Sequence, residues 1–334
     1  MGVKIDIFNP QTSVLAAGLE GKTVFIYGGN NVGKTYTASR LSKPFFIACE
    51  SGLNAQAGVK YNRVSNWADF KTLVKQFTNK TTFEKARELY DTIVIDEVYA
   101  SSIMCQDYVL SSYGNGALTL SDGDSKHNLY QVYEKEYFRV INLLLSRNYT
   151  VVFIGHQQAD SKTGFITPKG DKRCLNPIID NCDFVIYVNS NGVDEKGELI
   201  KSSAYFYQTD KFFARSRFEC CVPMIKEFTA ENLEEAIKNA VIDTAKKDGV
   251  EVSTYEQQKE QNVVEKEDFD DIMKQIGELG KKLIESGNQE KLTDIVEGNL
   301  GPNQKVSNCT KKQIEVVTVI RNEIQDMISE LGIE

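Results

Sequence analysis

The 334-residue chain has no apolar run near the ~20 residues that a membrane-crossing helix needs, so no contact with a membrane is expected. Its opening, MGVKIDIFNP, lacks the apolar core of a signal peptide, and Asp6 stands where a myristoylation signal needs Ser or Thr. Histidine is nearly absent, with only His127 and His156. The seven cysteines (Cys49, Cys105, Cys174, Cys182, Cys220, Cys221 and Cys309) form no C-x-x-C pair. A zinc site or a disulfide framework is therefore not expected, whereas a reduced, cytoplasmic setting is, in a host cell if the chain is phage-encoded. Positive charge is short as well. A net charge of −8 argues against a general basic coat for duplex DNA and leaves room for a local basic groove. No internal repeat is visible. The length allows one large domain with an appendage, or two domains.

Against these absences stands residues 28–35, GGNNVGKT, behind a strand-like run, Thr23-Val24-Phe25-Ile26-Tyr27, and ahead of a helix-like segment ending near Leu41. This is G-x-x-x-x-G-K-[ST] between strand and helix. Successive backbone N–H groups in such a loop form a concave nest for phosphate oxygens, and the following helix start adds partial positive charge. Gly28, Gly29, Asn30, Asn31, Val32, Gly33, Lys34, Thr35 and Tyr36 are the candidate ATP-binding residues. Lys34 is placed to reach the β- and γ-phosphates, and the Thr35 hydroxyl to ligate Mg²⁺.

Short apolar runs alternate with amphipathic stretches to about residue 225, the signature of a parallel sheet. Strands are expected at 45–49, 59–64, 92–96, 151–154, 184–188 and 199–208, and helices at 67–77, 83–90 and 127–147. Residues 113–126 and 157–175 read as loops. From 228 the composition shifts. Residues 228–248 have helical spacing, and 251–271 hold eight acids against two bases. Four parts are expected: a core over 1–227, a helix over 228–248, an acidic linker over 249–267 and a small helical module over 268–334. Thr310 followed by Gln313 looks like a capping box ahead of the last helix.

Several strand ends carry chemistry. Asp96 ends the unbroken run TIVID, where an acid fits the second Mg²⁺ position of a phosphate-loop enzyme. Glu97 follows directly. Glu50 ends the strand after the phosphate-loop helix, and a carboxylate there can polarise an attacking water. His156 ends VVFIG, where a polar side chain can touch a γ-phosphate. The stretch 157–175 carries Lys162, Lys169, Lys172 and Arg173 against Asp160 and Asp171. Lys211, Arg215 and Arg217, in TDKFFARSRF, can stabilise charge on a transferring phosphoryl group in this subunit or a neighbour. Each site has a plainer alternative, from solvent-facing acids to a basic edge strand that deters aggregation.

Together these segments resemble the RecA-like branch of P-loop ATPases, most nearly the phage-type, AAA-type nucleotide-binding ATPases linked to single-strand annealing and recombination. The resemblance covers about residues 20–225. FFIACESGL is similar to the family's strand with the catalytic glutamate, TIVIDEV to its Walker B strand, and VVFIGHQQ to the strand ending in its sensor. KFFARSRF followed by Pro223 resembles the cationic motif near the next subunit's nucleotide. By the same resemblance, residues around 100–126 and those after His156 correspond to the two DNA loops. A histidine stands where recombinases carry glutamine, and Glu97 where they often carry serine, so either Glu50 or Glu97 remains open as the water-activating group.

The resemblance implies an α/β, RecA-like core with a mostly parallel sheet flanked by helices, plus a small C-terminal helical region. The expected activity is Mg²⁺-ATP hydrolysis controlling single-stranded DNA binding. Self-association would bring Arg215 or Arg217 to a neighbour's nucleotide, and the terminal helices would engage a single-strand-binding protein. The alternatives are a nucleotide-gated assembly factor or helicase loader with little turnover, and a P-loop kinase.

Overall fold

The computed structural model describes residues 7, 8, 10, 12–123, 128–261 and 267–333. His127 lies outside them. The chain divides into one unit within residues 4–263 and another within 264–334. In chain order the larger unit holds β1 (Leu15–Ala16), β2 (Thr23–Gly28), α1 (Lys34–Ala38), β3 (Pro44–Ala48), β4 (Lys60–Arg63), α2 (Trp67–Thr78), α3 (Phe83–Leu89), β5 (Thr92–Asp96) and α4 (Val98–Tyr113). It continues with α5 (Leu129–Leu145), β6 (Thr150–Ala159), β7 (Ile166–Pro168), α6 (Lys172–Asn181), β8 (Phe184–Asn189), β9 (Ser203–Tyr205), β10 (Arg215–Ser216), β11 (Met224–Ile225), α7 (Ala230–Asp248), β12 (Val252–Ser253) and α8 (Tyr255–Gln261). The smaller unit holds α9 (Phe269–Glu285), α10 (Gln289–Leu300) and α11 (Ile314–Leu331).

The unbroken apolar runs of β2, β5 and β6 follow from a sheet covered on both faces. Side chains alternate along each strand. Phe25, Tyr27, Ile93, Ile95, Val151 and Phe153 join Trp67, Phe70, Tyr133 and Tyr137 in one core. Val24, Ile26, Val94, Val152 and Ile154 join Leu233, Ile237 and Val241 of α7 in the other. The helix expected over 228–248 is thus a cover of the sheet rather than a part outside the core.

The main sheet runs β11-β9-β8-β2-β6-β5-β3-β4. From β8 to β4 all neighbours are parallel. Strands β7, β9, β10 and β11 pair antiparallel. This mixed α/β architecture, a mostly parallel sheet between helices, is compatible with the P-loop NTPase fold. Gly28 ends β2 between Val188 of β8 and His156 of β6. The phosphate loop therefore leaves the middle of the sheet at its C-terminal edge, where open α/β sheets bind ligands.

Several expectations change. Helix α1 ends at Ala38 rather than near Leu41, and Arg40 and Leu41 close turn bonds onto Thr37 and Ala38. The stretch read as a first DNA loop is largely helix, since α4 runs to Tyr113. Residues 157–175 are not one loop. Strand β6 continues to Ala159, the chain turns on Asp160, and β7 returns against β6 before α6 begins. The strand expected over 199–208 shrinks to β9. Where it is described, the expected acidic linker carries β12, parallel to β1, and α8. The Tyr255 hydroxyl bonds the Asn148 carbonyl oxygen, and its ring faces the Arg87 guanidinium.

In the smaller unit Phe269, Ile272, Ile276 and Leu283 pack against Val317, Ile320, Ile324 and Ile328. This is the i, i+3, i+4 stripe that two packed helix faces need. The Thr310–Gln313 capping box forms, but it caps a short 3-10 turn that leads into α11. No described helix is long and apolar enough to cross a membrane.

Candidate active site

The phosphate loop is held by close packing. A Cβ on Gly28 would meet the Val188 carbonyl oxygen at 2.2 Å, so only glycine lets β2 approach β8 here. Asn31 (φ 61°) and Gly33 (φ 93°) take left-handed conformations that curl the loop. Val32 is buried and pins it to the core. Lys34 is buried too, and its ammonium donates to the carbonyl oxygens of Gly28 at 3.1 Å and Gly29 at 2.6 Å. Burial lowers its pKa, and the charges of Asp96, Glu97 and Glu50 oppose that shift. With only five residues in α1, the curled backbone contributes more of any anion site than a helix dipole does.

Thr35 and Asp96 are brought together as expected: the Thr35 hydroxyl donates to Asp96 Oδ2 at 2.9 Å. A hydroxyl and a carboxylate side by side are hard oxygen donors that fit Mg²⁺. Burial raises the Asp96 pKa and Glu50 adds to it, while the Thr35 bond and the charges of Lys34 and His156 oppose.

Next to this pair sit Glu50, Glu97 and His156, whose ligand atoms all lie within 4.8 Å of one another. The register aligns Ala48 of β3 with Asp96, and Asp96 with Ile154 of β6, so three adjacent strand ends deliver these side chains. The Glu50 carboxylate is 43% exposed and lies 3.7 Å from His156 Nε2. Glu97 is only 1% exposed, and among the described residues neither of its carboxylate oxygens has a hydrogen-bond partner. Burial, reinforced by the neighbouring Glu50 charge, pushes its pKa up to about 7.

Two cavities open here. One of about 380 Å³ lies between Gly28, Gly29 and Asn30 on one side and Glu50, Glu97, Tyr99, His156, Gln157 and Lys169 on the other. The second, about 860 Å³, runs along the loop past Tyr36 to Lys201 and Phe228. Tyr36 stacks under Arg40, whose guanidinium carbon is 3.3 Å from its ring centroid. Sequence reading missed Tyr99, Gln157, Lys201 and Phe228, and it took Lys169 only as one charge in a loop. No motif marks them. Tyr99 comes from the first turn of α4, Gln157 and Lys169 from the β6–β7 hairpin and its end, Lys201 from the segment ahead of β9, and Phe228 from the segment ahead of α7.

Arg215 and Arg217 do not reach this pocket within the chain. Arg215 lies opposite Val185, near the start of β8 and away from the loop. Its Nη2 donates to the carbonyl oxygens of Ile179, Asp180 and Cys182 at the end of α6. Arg217 bonds the Asp180 carbonyl oxygen and sits 3.6 Å from Asp183 Oδ1.

A curled, lysine-bearing loop at the edge of a mostly parallel sheet, facing a Thr–Asp pair, is the site of a P-loop NTPase. The comparison of the sequence with known families agrees: residues 20–218 match the AAA domain family, and the chain belongs to it. It is also similar to a Bacillus subtilis (strain 168) protein, the SPbeta prophage-derived uncharacterized protein YorG. The two are 46% identical over 331 residues, 98% of this chain and 99% of that one. The family match takes in every candidate site residue from Gly28 to Arg217 and stops before α7.

Proposed function

We propose that the protein is a RecA-like ATPase that uses Mg²⁺-ATP to control binding of single-stranded DNA. The observation that carries the catalytic half is the contrast between its two glutamates. Both line the cavity beside the phosphate loop, but the Glu50 carboxylate is 43% exposed to it whereas Glu97 is almost wholly buried in its wall. Glu50 is therefore the group that orients the attacking water and takes its proton. The water oxygen bonds to the γ-phosphorus as the bond to the bridging β–γ oxygen breaks, leaving ADP and phosphate. Lys34 faces the developing charge, and Thr35 and Asp96 would hold a Mg²⁺ ion, which would supply further charge neutralisation.

The DNA half rests on the hairpin that begins at His156. Lys162 lies in its turn and Lys169 directly after it, with Lys172 and Arg173 following at the start of α6, so occupancy at the γ-phosphate and the position of a basic surface are linked through one continuous segment. Self-association would place Arg217 at a neighbour's nucleotide. The terminal helices α9–α11 would recruit a single-strand-binding protein. The prophage origin of the relative agrees with work on phage DNA in a host cytoplasm.

Glu50→Gln tests the assignment. It is expected to bind Mg²⁺-ATP as the wild type does and to hydrolyse it at least about 100-fold more slowly. Wild-type turnover in this variant would remove Glu50 from the chemistry. Tight ATP binding with no turnover in either protein would mark a nucleotide-gated assembly factor instead.

A further inference from the structure

The pocket described above is short of positive charge. Asp96, Glu97 and Glu50 all bear on Lys34, so beyond Lys34 and a metal ion held by Thr35 and Asp96, a further protein cation facing a γ-phosphate here would be favoured. Arg215 and Arg217 are bonded to the end of α6 and supply none within the chain.

Lys169 lies where such a cation is needed. It lines the 380 Å³ cavity together with Gly28, Gly29 and Glu50. Its backbone is fixed, because its N–H donates to the His156 carbonyl oxygen at 2.8 Å and the preceding Pro168, buried, pairs with Gln157. Its side chain is exposed and makes no hydrogen bond or ion pair with any described residue. The ammonium rests over the Tyr99 ring, 4.4 Å from its centroid. A cation over a half-buried aromatic ring is held more weakly than one bonded to a phosphate oxygen.

We propose that Lys169 is a γ-phosphate ligand supplied by the chain itself, which leaves Tyr99 when a triphosphate enters and has no phosphate partner when a diphosphate is bound. Because Lys169 ends the β6–β7 hairpin and is bonded to His156, its engagement ties the hairpin to the third phosphate. This rests on the reading of the pocket as a nucleoside triphosphate site.

Equilibrium binding of a non-hydrolysable ATP analogue and of ADP, each with Mg²⁺, to the full chain tests it. Lys169→Met keeps the apolar stem over Tyr99 and removes the charge. It is expected to weaken the analogue about tenfold or more while ADP binding stays within about twofold, and Lys169→Arg is expected to restore much of the difference. Unchanged binding of both nucleotides, or an equal loss of both, would overturn the proposal. A wild-type protein that binds neither nucleotide would overturn the site reading itself, a result distinct from a failure of Lys169 alone.

Discussion

Glu97 shows what a single residue does at this site. Its carboxylate is buried without a hydrogen-bond partner among the described residues, and its pKa stands at about 7 against an ordinary 4.5. Between those pH values the folded chain holds a proton that the unfolded chain has released. The stability tied to that proton is whole below the unfolded value and is lost as pH rises through the folded one. Glu97→Gln, which keeps the shape and drops the charge, should raise the melting temperature by about 2–4 °C at pH 8 and change it little at pH 5. Calorimetry at the two pH values checks this, and equal shifts at both would contradict it. Residues of this kind divide by how they can be read. Lys34, Thr35 and Asp96 are legible because a fixed spacing and a strand end put them together. Tyr99 and Lys169 are not, because they are 70 positions apart in sequence and meet only through the hairpin.

Among the elements, α6 and β10 carry the clearest difference between sequence and structure. The sequence groups Arg215 and Arg217 as one cationic pair. In the fold, Arg215 donates to carbonyl oxygens at the end of α6, where a helix runs out of backbone donors, whereas Arg217 is about half exposed beside Asp183. Arg215→Ala should destabilise the chain by about 1–3 kcal/mol and Arg217→Ala by no more than about 1 kcal/mol, measured by urea unfolding. The reverse order would contradict the capping role. Of the two, Arg217 is the more exposed, and the proposed self-association would use it. The β6–β7 hairpin is hidden from sequence reading for a related reason. Its strands hold polar residues such as Gln157, Gln158 and Thr167, and they pair because β6 outruns the sheet.

At the scale of the whole molecule, the apolar runs of β2, β5 and β6 and the GGNNVGKT loop made a two-faced sheet with a central anion site legible. The second cover of that sheet was less so. Helix α7 lies beyond the family match, and its stripe of Leu233, Ile237 and Val241 has the spacing of any amphipathic helix. The pairing of β12 with β1 was hidden by the acidic composition around it, which says nothing of where Val252 or Tyr255 packs. What the molecule does as a whole depends on whether the phosphate site and the basic hairpin act together.

The most direct test is the steady-state rate of Mg²⁺-dependent ATP hydrolysis at low salt, with and without single-stranded DNA, beside Lys34→Ala. Low salt matters because electrostatic contacts of an acidic protein with DNA weaken steeply as salt rises. The account predicts hydrolysis that increases with DNA and disappears in the variant. A rate indifferent to DNA, or one that survives Lys34→Ala, would contradict it.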